Sequence, residues 1–438
     1  MLSFIFKKQS YSTGTKWTVI LNAFSKLIQF ILILLVGKFV GNNNETDIYF
    51  TLIAFITQLS FMGGFIVNDV LAPEIINISK NKPEQLYSFI IYFFQKYIYF
   101  GVFIAIVFFL FPSQVLTTLT KFNIETINRY LSLCTYFGVL FLLMLIFNFT
   151  NNLLFSQRLF ILPLVLNIIT NSLAIFTFMF YQKEFGIKSI LIGLIIGYTF
   201  SIFTTLSLLK KIFIWANIIG QKFKLTKKMK KDILSCLLYS VLNIVGYYIP
   251  FYILSGFGTG YASSYNIALQ IIYVPLQFVV IQVAAIFGTQ ANHLISINEE
   301  SNMIKLYFIT VKKILVFILP LCIFISFTSD HILTRLNMNT GYTSLILNFI
   351  VWTVPVNSFN IITHKLVTAK GKVSDALWVP VVYNILLIIG LYFVSYFHDI
   401  TIFLVAYNIL YNFYLVLIFI FLRKINIKFE INSAHPTS

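Results

Sequence analysis

Residues 17–39 read WTVILNAFSKLIQFILILLVGKF. An α-helix needs about 20 mostly apolar residues to cross a bilayer, so this stretch predicts a membrane-spanning helix. Eleven similar stretches follow, near 48–67, 87–111, 130–150, 158–180, 187–209, 232–255, 263–288, 307–328, 342–363, 373–395 and 400–422. The sequence therefore predicts an all-α polytopic membrane protein with about 12 transmembrane helices.

The composition supports this class. Of the 438 residues, 59% are hydrophobic and only 10% are charged. A soluble domain carries about 25% charged residues, which excludes a soluble cytosolic enzyme. The formal net charge of +17 is expected of a membrane protein whose cytoplasmic lysines orient its helices, so we predict no nucleic-acid partner.

Motifs for catalysis and metal binding are absent from the sequence. The cysteines (Cys134, Cys236 and Cys322) stand singly in apolar runs, and the five histidines are scattered. No Walker motif and no nucleophile–histidine arrangement occurs. We therefore predict no enzymatic activity, no catalytic residue, no cofactor and no metal site.

The distribution of positive charge predicts the topology. With a cytoplasmic N-terminus, 23 of the 31 Lys and Arg residues fall at the inner face. Positive residues concentrate in cytoplasmic loops, so this bias predicts an even number of spans with both termini in the cytoplasm.

A basic loop and an internal repeat predict the domain organisation. Residues 210–231 carry eight lysines and separate an N-lobe (1–209, spans 1–6) from a C-lobe (232–422, spans 7–12), followed by a cytoplasmic tail (423–438). LPLVLNIITN at 162–171 recurs as VPVVYNILLI at 379–388. Because each half has an even number of spans, the lobes should be related by a pseudo-two-fold axis along the membrane normal. Parallel repeats of this kind are typical of transporters.

Four stretches carry a resemblance to a known family: GNNNETDIYFTLIAF (41–55), FTNNLLFSQRLFILPLVLNIITN (149–171), GFGTGYASSYNIALQIIYVPLQF (256–278) and AKGKVSDALWVPVVYN (369–384). They resemble the MOP exporter superfamily, with its MviN/MurJ-like and Wzx-like flippases of lipid-linked oligosaccharides as the most similar branches. The resemblance implies two six-helix lobes around a central cavity. It also implies translocation of an undecaprenyl-pyrophosphate-linked oligosaccharide by alternating access. The location that it implies is a bacterial cytoplasmic (inner) membrane, crossed in multiple passes.

The sequence departs from the lipid II branch of that superfamily. That branch has an S-R-x-L-G-x-x-R-D pattern in its first span, and here Ser25 and Lys26 begin a stretch that lacks the second Arg and the Asp. Fourteen spans are also usual in that branch. These differences favour a flippase of O-antigen, capsule or similar repeat units, with a lipid II flippase of the MurJ type as the alternative.

Two lysines lie deep in predicted spans. Lys26 and Lys96 are each about ten residues, or roughly 15 Å, from a span end. A lysine in lipid costs at least about 2.5–3.5 kcal/mol, so we predict that both face a wet cavity and bind the substrate's pyrophosphate. Either lysine could instead be a snorkelling residue near a span boundary.

Polar side chains complete the predicted substrate site. Asp47 opens span 2, where it either caps the helix or pairs with Lys38 or Lys26. Gln29, Asn266 and Gln270 are predicted to bind the substrate, with hydrogen bonds between helices as the structural alternative. The expected partners are the lipid-linked glycan, membrane lipids and a coupling ion (H⁺ or Na⁺), and we predict a monomer.

Two other functions stay open at this stage. A MATE-like, ion-coupled drug or metabolite antiporter usually needs a buried carboxylate, and no Asp or Glu lies near the centre of a predicted span. An integral membrane glycosyltransferase or polymerase needs a large outer loop, whereas the longest outer segment here is 112–129. Both features favour the flippase, whose substrate is anionic.

Overall fold

The computed structural model describes residues 6, 9, 11–71, 74–75, 78, 82–157, 159–209, 223, 225–335 and 342–425. Within these residues the regular structure is helical and contains no strand. Helices α1 to α17 are, in chain order, Tyr11–Phe39, Asn44–Ile66, Pro83–Leu110, Pro112–Leu119, Ile124–Arg129, Leu131–Ser156, Ile161–Phe185, Lys188–Leu208, Lys227–Leu254, Tyr261–Pro275, Ile281–Ser296, Glu300–Arg335, Tyr342–Ile350, Thr353–Ala369, Val373–Ala376, Trp378–Val394 and Ile400–Lys424.

The helices confirm the predicted class. Eleven of the described segments are long and apolar enough to cross a membrane, and the bent pair α13–α14, with a 41° change of direction, makes up to 12. In span 8, α10 ends at Pro275 and a π-helical turn, Leu276–Val280, leads directly into α11. Proline has no N–H, and its ring displaces the carbonyl four residues earlier. Pro275 therefore explains the change from α-helical to π-helical hydrogen bonding at this point.

The chain forms two compact units. Unit 1 comprises Met1–Gln270 and Asp330–Ser344, and unit 2 comprises Ile271–Ser329 and Leu345–Ser438. Unit 1 thus contains the predicted N-lobe together with span 7 and the first part of span 8. The predicted lobe boundaries and their symmetry axis stay predictions. Most of the basic linker (210–222 and 224) and of the tail (426–438) lies outside the described residues.

Close helix packing organises unit 1. The Tyr97 hydroxyl on α3 donates a hydrogen bond of 2.5 Å to the carbonyl oxygen of Gly63 on α2. A Cβ atom at Gly63 would lie 2.8 Å from Cε1 of Tyr97 and 2.9 Å from Cδ1 of Leu145. Only glycine therefore allows α2 to approach α3 and α6 so closely, as small residues do in membrane helix packing.

The residues of the internal repeat take equivalent helical positions. Pro163 is the third residue of α7, and Pro380 is the third residue of α16. Asn167 and Asn384 are each the seventh residue of the same two helices. Proline is tolerated in the first turn of a helix because the N–H that it lacks would have no intrahelical acceptor there.

Candidate functional site

Helix α1 has three distinct faces at about 3.6 residues per turn. One face is packed inside unit 1 and includes Ser25, Ile28 and Leu32. A second face is exposed and apolar, as expected of a surface that contacts lipid; it consists of Trp17, Ile20, Phe24, Leu27 and Ile31. The third face is half-buried and carries the polar side chains Asn22, Lys26 and Gln29.

Lys26 and Gln29 form a contact on the third face. The Lys26 Nζ donates a hydrogen bond of 2.9 Å to Oε1 of Gln29, one turn further along α1. This bond uses one of the three N–H donors of the ammonium group. Among the described residues, the ion pairs are Lys370–Glu300 and Lys372–Asp375, so no carboxylate neutralises Lys26 there. The structure therefore groups two predicted site residues on a polar face.

Lys96 lies in a different environment. Its side chain is exposed, and it shares one face of α3 with Tyr99, Phe103 and Leu110, which are 59%, 62% and 59% exposed. Its Nζ lies 5.5 Å from the ring centroid of Tyr92. Among the described residues, no hydrogen bond or ion pair joins Lys96 to another predicted site residue, and its assignment to the substrate site stays a prediction.

Asp47 is fully buried and binds backbone N–H groups. Its Oδ2 accepts a hydrogen bond of 2.5 Å from the Gly260 N–H, and its Oδ1 accepts one of 2.7 Å from the Ser263 N–H. Gly260 directly precedes α10 and Ser263 lies in its first turn. At a helix N-terminus a carboxylate satisfies unpaired N–H groups, and the helix dipole favours its charge. Asp47 thus caps α10 rather than its own helix, and no ion pair joins it to Lys38 or Lys26 in the described part of the chain.

Further hydrogen bonds surround Asp47. Asn42 Nδ2 donates to the hydroxyls of Ser264 (3.1 Å) and Thr343 (3.4 Å), and Thr343 Oγ1 donates to Ser264 Oγ at 2.9 Å. Thr259 Oγ1 donates to Oδ1 of Asn44 at 2.8 Å. We call these residues the α2–α10 network: Asn42, Asn44, Asp47, Thr259, Gly260, Ser263, Ser264 and Thr343. The network joins the start of α2 to the start of α10 within unit 1.

Asn266 and Gln270 follow on α10. They are four residues apart and therefore share one face of the helix. Asn266 is buried, whereas Gln270 is half-buried. Their role in binding substrate stays a prediction.

Sequence reasoning missed most of the α2–α10 network. The run of three asparagines at 42–44 and the glycines at 256, 258 and 260 mark two loops. Gly258 and Gly260 have φ values of 141° and 90°, which are accessible to glycine and strained for other residues. Nothing in the sequence, however, indicated that these two loops meet.

Unit 2 has its own partly buried polar cluster. The Tyr411 hydroxyl donates a hydrogen bond of 2.5 Å to Oδ1 of Asn357. The ring of Tyr383 lies 5.8 Å from that of Tyr411 and 4.4 Å from that of Tyr414. No group of three or more His, Cys, Asp or Glu residues suited to a metal ion occurs in the ranges that the structure describes. The cluster consists of neutral side chains only.

The arrangement of helices is that of a known class of membrane transporter. No protein-family model and no curated protein sequence matches the chain. Its backbone nevertheless matches solved structures of transporters of the MOP superfamily, so the chain has their fold.

Three solved structures illustrate the similarity. The first is named "Lipid II flippase MurJ, inward closed conformation"; the match has a TM-score of 0.76 and 16% identity, and covers 93% of this chain and 87% of that chain. The second is an inward-facing multidrug resistance MATE family transporter of the MOP superfamily, with a TM-score of 0.72, 14% identity, and coverage of 96% and 95%. The third is an outward-facing MATE family transporter of that superfamily, with a TM-score of 0.68, 13% identity, and coverage of 94% and 95%. At these identities the similarity establishes the fold alone.

Proposed function

We propose that the protein is a flippase of the bacterial cytoplasmic membrane. Its substrate is an undecaprenyl-pyrophosphate-linked oligosaccharide, such as an O-antigen or capsule repeat unit, and it works by alternating access. Two observations support the class: the fold is that of the transporters above, and one of them is named a lipid II flippase. Both termini are cytoplasmic in this proposal, and the protein functions as a monomer.

The observation that carries the proposal is the polar face of α1. Lys26 is the tenth residue of the segment Trp17–Phe39, which is apolar enough to span a membrane. A cation at such a depth is costly unless it meets water or an anion. A lysine supplies a point charge and several donors to phosphate oxygens. Lys26 therefore attracts the substrate's pyrophosphate, while Gln29 positions the ammonium group and offers an amide to the substrate.

The α2–α10 network supports alternating access. It joins α2 of the predicted N-lobe to α10 of the predicted C-lobe, at the end predicted to be extracytoplasmic. A pathway between the lobes opens at that end only when these hydrogen bonds break. In this proposal Asp47 controls access to the outer side, whereas Asn266 and Gln270, further along α10, offer amides to the sugar hydroxyls.

The alternatives differ in the charge that they require. A MATE-like antiporter needs a carboxylate that is free to exchange an ion, whereas both oxygens of Asp47 accept backbone hydrogen bonds. Lipid II remains the second candidate substrate, because it carries the same pyrophosphate and its flippase has the highest TM-score of the three structures above. The membrane potential, or a gradient of H⁺ or Na⁺, drives transport in our proposal.

The test compares Lys26→Ala with Lys26→Arg. In cells that lack the chromosomal copy, Lys26→Ala should reduce surface glycan and cause an undecaprenyl-linked intermediate to accumulate, with an unchanged amount of protein in the membrane. Loss of a hydrogen bond to a charged group, worth about 1.5–3 kcal/mol, should weaken substrate binding by roughly 10- to 150-fold. Lys26→Arg keeps the charge and should retain most of the export.

A matched control is Lys305→Ala, which removes an exposed lysine of α12 in unit 2. Its surface glycan should equal that of the wild type. Normal glycan in Lys26→Ala cells would contradict the proposal. A change of drug resistance without any change of glycan would favour the antiporter instead.

A further inference from the structure

We propose that Lys96, Tyr92 and Phe223 form a binding site for the phosphate group of an anionic phospholipid. The site lies on the lipid-facing surface of unit 1, in the leaflet on the side where α3 begins. In this proposal Lys96 lies outside the substrate pathway, in place of the substrate role predicted from the sequence, so failure of this proposal and failure of the proposed function are distinguishable.

The first step is the direction that Lys96 faces. Tyr99, Phe103 and Leu110 lie three, seven and fourteen residues after Lys96, and these spacings place all four on one face of a helix. The three apolar side chains are each about 60% exposed. A row of exposed aromatic and aliphatic side chains on a spanning helix contacts lipid. Lys96 therefore faces lipid.

The second step is depth. Tyr87 is 48% exposed in the first turns of α3 and suits the membrane–water interface, where tyrosines concentrate. Lys96 is nine residues further along, which is roughly 14 Å, whereas Leu110 is fourteen residues beyond Lys96, or roughly 21 Å. Lys96 thus lies nearer the leaflet on the Tyr87 side, and its side chain can extend toward the headgroups of that leaflet.

The third step is the missing counter-charge. The ammonium group of Lys96 lies over the ring of Tyr92, one turn closer to the interface. No carboxylate of the described residues is within ion-pair distance of Lys96. An unpaired lysine is costly at this depth, and lipid and water move inward to reach such a group. The anion available at a lipid-facing surface is a lipid phosphate.

The fourth step is the aromatic contact made by Phe223. Phe223 packs against the same part of α3, with its ring centroid 5.1 Å from that of Phe89 and 6.5 Å from that of Tyr92. The Lys96 ammonium group, with no carboxylate of the described residues within ion-pair distance, favours an anionic over a zwitterionic headgroup. The combination of charge and aromatic rings selects an anionic phospholipid.

The experiment uses the purified full-length protein and native mass spectrometry. Phosphatidylglycerol and phosphatidylcholine are titrated separately, and the fraction of protein with bound lipid is measured. Lys96→Gln should weaken the first phosphatidylglycerol adduct by about fivefold, the change expected of one lysine at an anionic surface. It should leave phosphatidylcholine binding unchanged, and Lys96→Arg should restore phosphatidylglycerol binding.

Controls make each outcome decisive. Lys305→Gln removes an exposed lysine elsewhere and should not change the first adduct. Equal losses in Lys305→Gln and Lys96→Gln would overturn the proposal, because the binding would then be a general effect of charge. An unchanged first adduct in Lys96→Gln would also overturn it. Undecaprenyl phosphate is titrated in parallel, and a loss confined to that lipid would assign Lys96 to the carrier instead. Gel filtration of every variant excludes misfolding as the cause.

Discussion

Asp47→Asn is the most direct test of the α2–α10 network. The substitution keeps the shape of the side chain but removes its charge and one acceptor oxygen. In the structure, the two carboxylate oxygens accept the N–H groups of Gly260 and Ser263 at 2.5 and 2.7 Å. An asparagine accepts through a single oxygen and presents an NH₂ group at the other position. One buried N–H of α10 would therefore lose its acceptor.

The magnitude follows from two losses. A buried donor without a partner costs about 1–3 kcal/mol. Removing a negative charge from a helix N-terminus costs about 0.3–1 kcal/mol, and up to about 2 in partly buried sites. In the open state the carboxylate is no longer buried, which offsets part of these losses. We therefore expect Asp47→Asn to destabilise the closed network relative to the open state by about 2–3 kcal/mol. The ratio of open to closed molecules should rise roughly 30- to 150-fold, at about 1.4 kcal/mol for each factor of ten.

Cysteine labelling at position 262 measures this ratio. Ala262 is fully buried in the first turn of α10, so a cysteine there should react with a membrane-impermeant thiol reagent only when the network opens. Ala262→Cys protein in proteoliposomes should therefore label slowly, and the added Asp47→Asn change should accelerate labelling by the factor above. The parent protein, with its three native cysteines, supplies the background rate.

Glu45→Gln is the matched control. Glu45 is two residues from Asp47, and its Oε1 accepts the Ile187 N–H at 3.1 Å, next to the start of α8. That contact lies within the predicted N-lobe, so its loss should leave labelling at position 262 unchanged. Equal acceleration by both substitutions, or none by Asp47→Asn, would refute the gating role. Buried Cys322 should remain unreactive, which separates opening from unfolding.

Two predictions concern stability. Gly63→Ala should lower the free energy of unfolding by about 1–3 kcal/mol, because the new Cβ would approach Tyr97 and Leu145 within 3 Å. A Cβ atom added at Gly64 would have no atom within 4 Å, so Gly64→Ala should leave the free energy of unfolding unchanged or raise it slightly. Equal shifts of the melting temperature of the two variants in detergent would contradict the packing argument. Glu300→Gln removes the ion-pair partner of Lys370, whose Nζ lies 2.5 Å from the Glu300 carboxylate. Because the Glu300 side chain is 61% exposed, the free energy of unfolding should fall by less than about 1 kcal/mol. Unfolding followed by circular dichroism should show a smaller loss in 1 M salt. A loss that is independent of salt would show that the contact is not mainly electrostatic.

The fold was largely predictable because a bilayer acts on each segment separately. Every span must be long enough and apolar enough by itself, and these are local properties of the sequence. The bent span shows the limit of this reasoning. The span predicted at 342–363 is present, but it is broken between Ile350 and Thr353 into α13 and α14. No proline lies in this break, since Pro355 is in the first turn of α14.

The candidate site was less predictable. Lys26 and Lys96 look alike in the sequence, since each is a lysine about ten residues into an apolar run. In the structure, Lys26 shares a half-buried polar face with Gln29, whereas Lys96 shares an exposed apolar face with Phe103. Their helical faces can be drawn from the sequence, but which face meets lipid depends on the neighbouring helices. The role of Asp47 could not be predicted from the sequence either, because its hydrogen-bond partners lie more than 200 residues away along the chain.

By itself, the sequence determined that this chain is an all-α membrane protein with up to 12 spans and lysines at mid-depth, because length and polarity are properties of each segment alone. Only the tertiary structure decided which lysine lies on a half-buried polar face, which one lies on an exposed apolar face, and that Asp47 caps α10. Those outcomes depend on contacts between distant segments, and packing rather than local composition selects them.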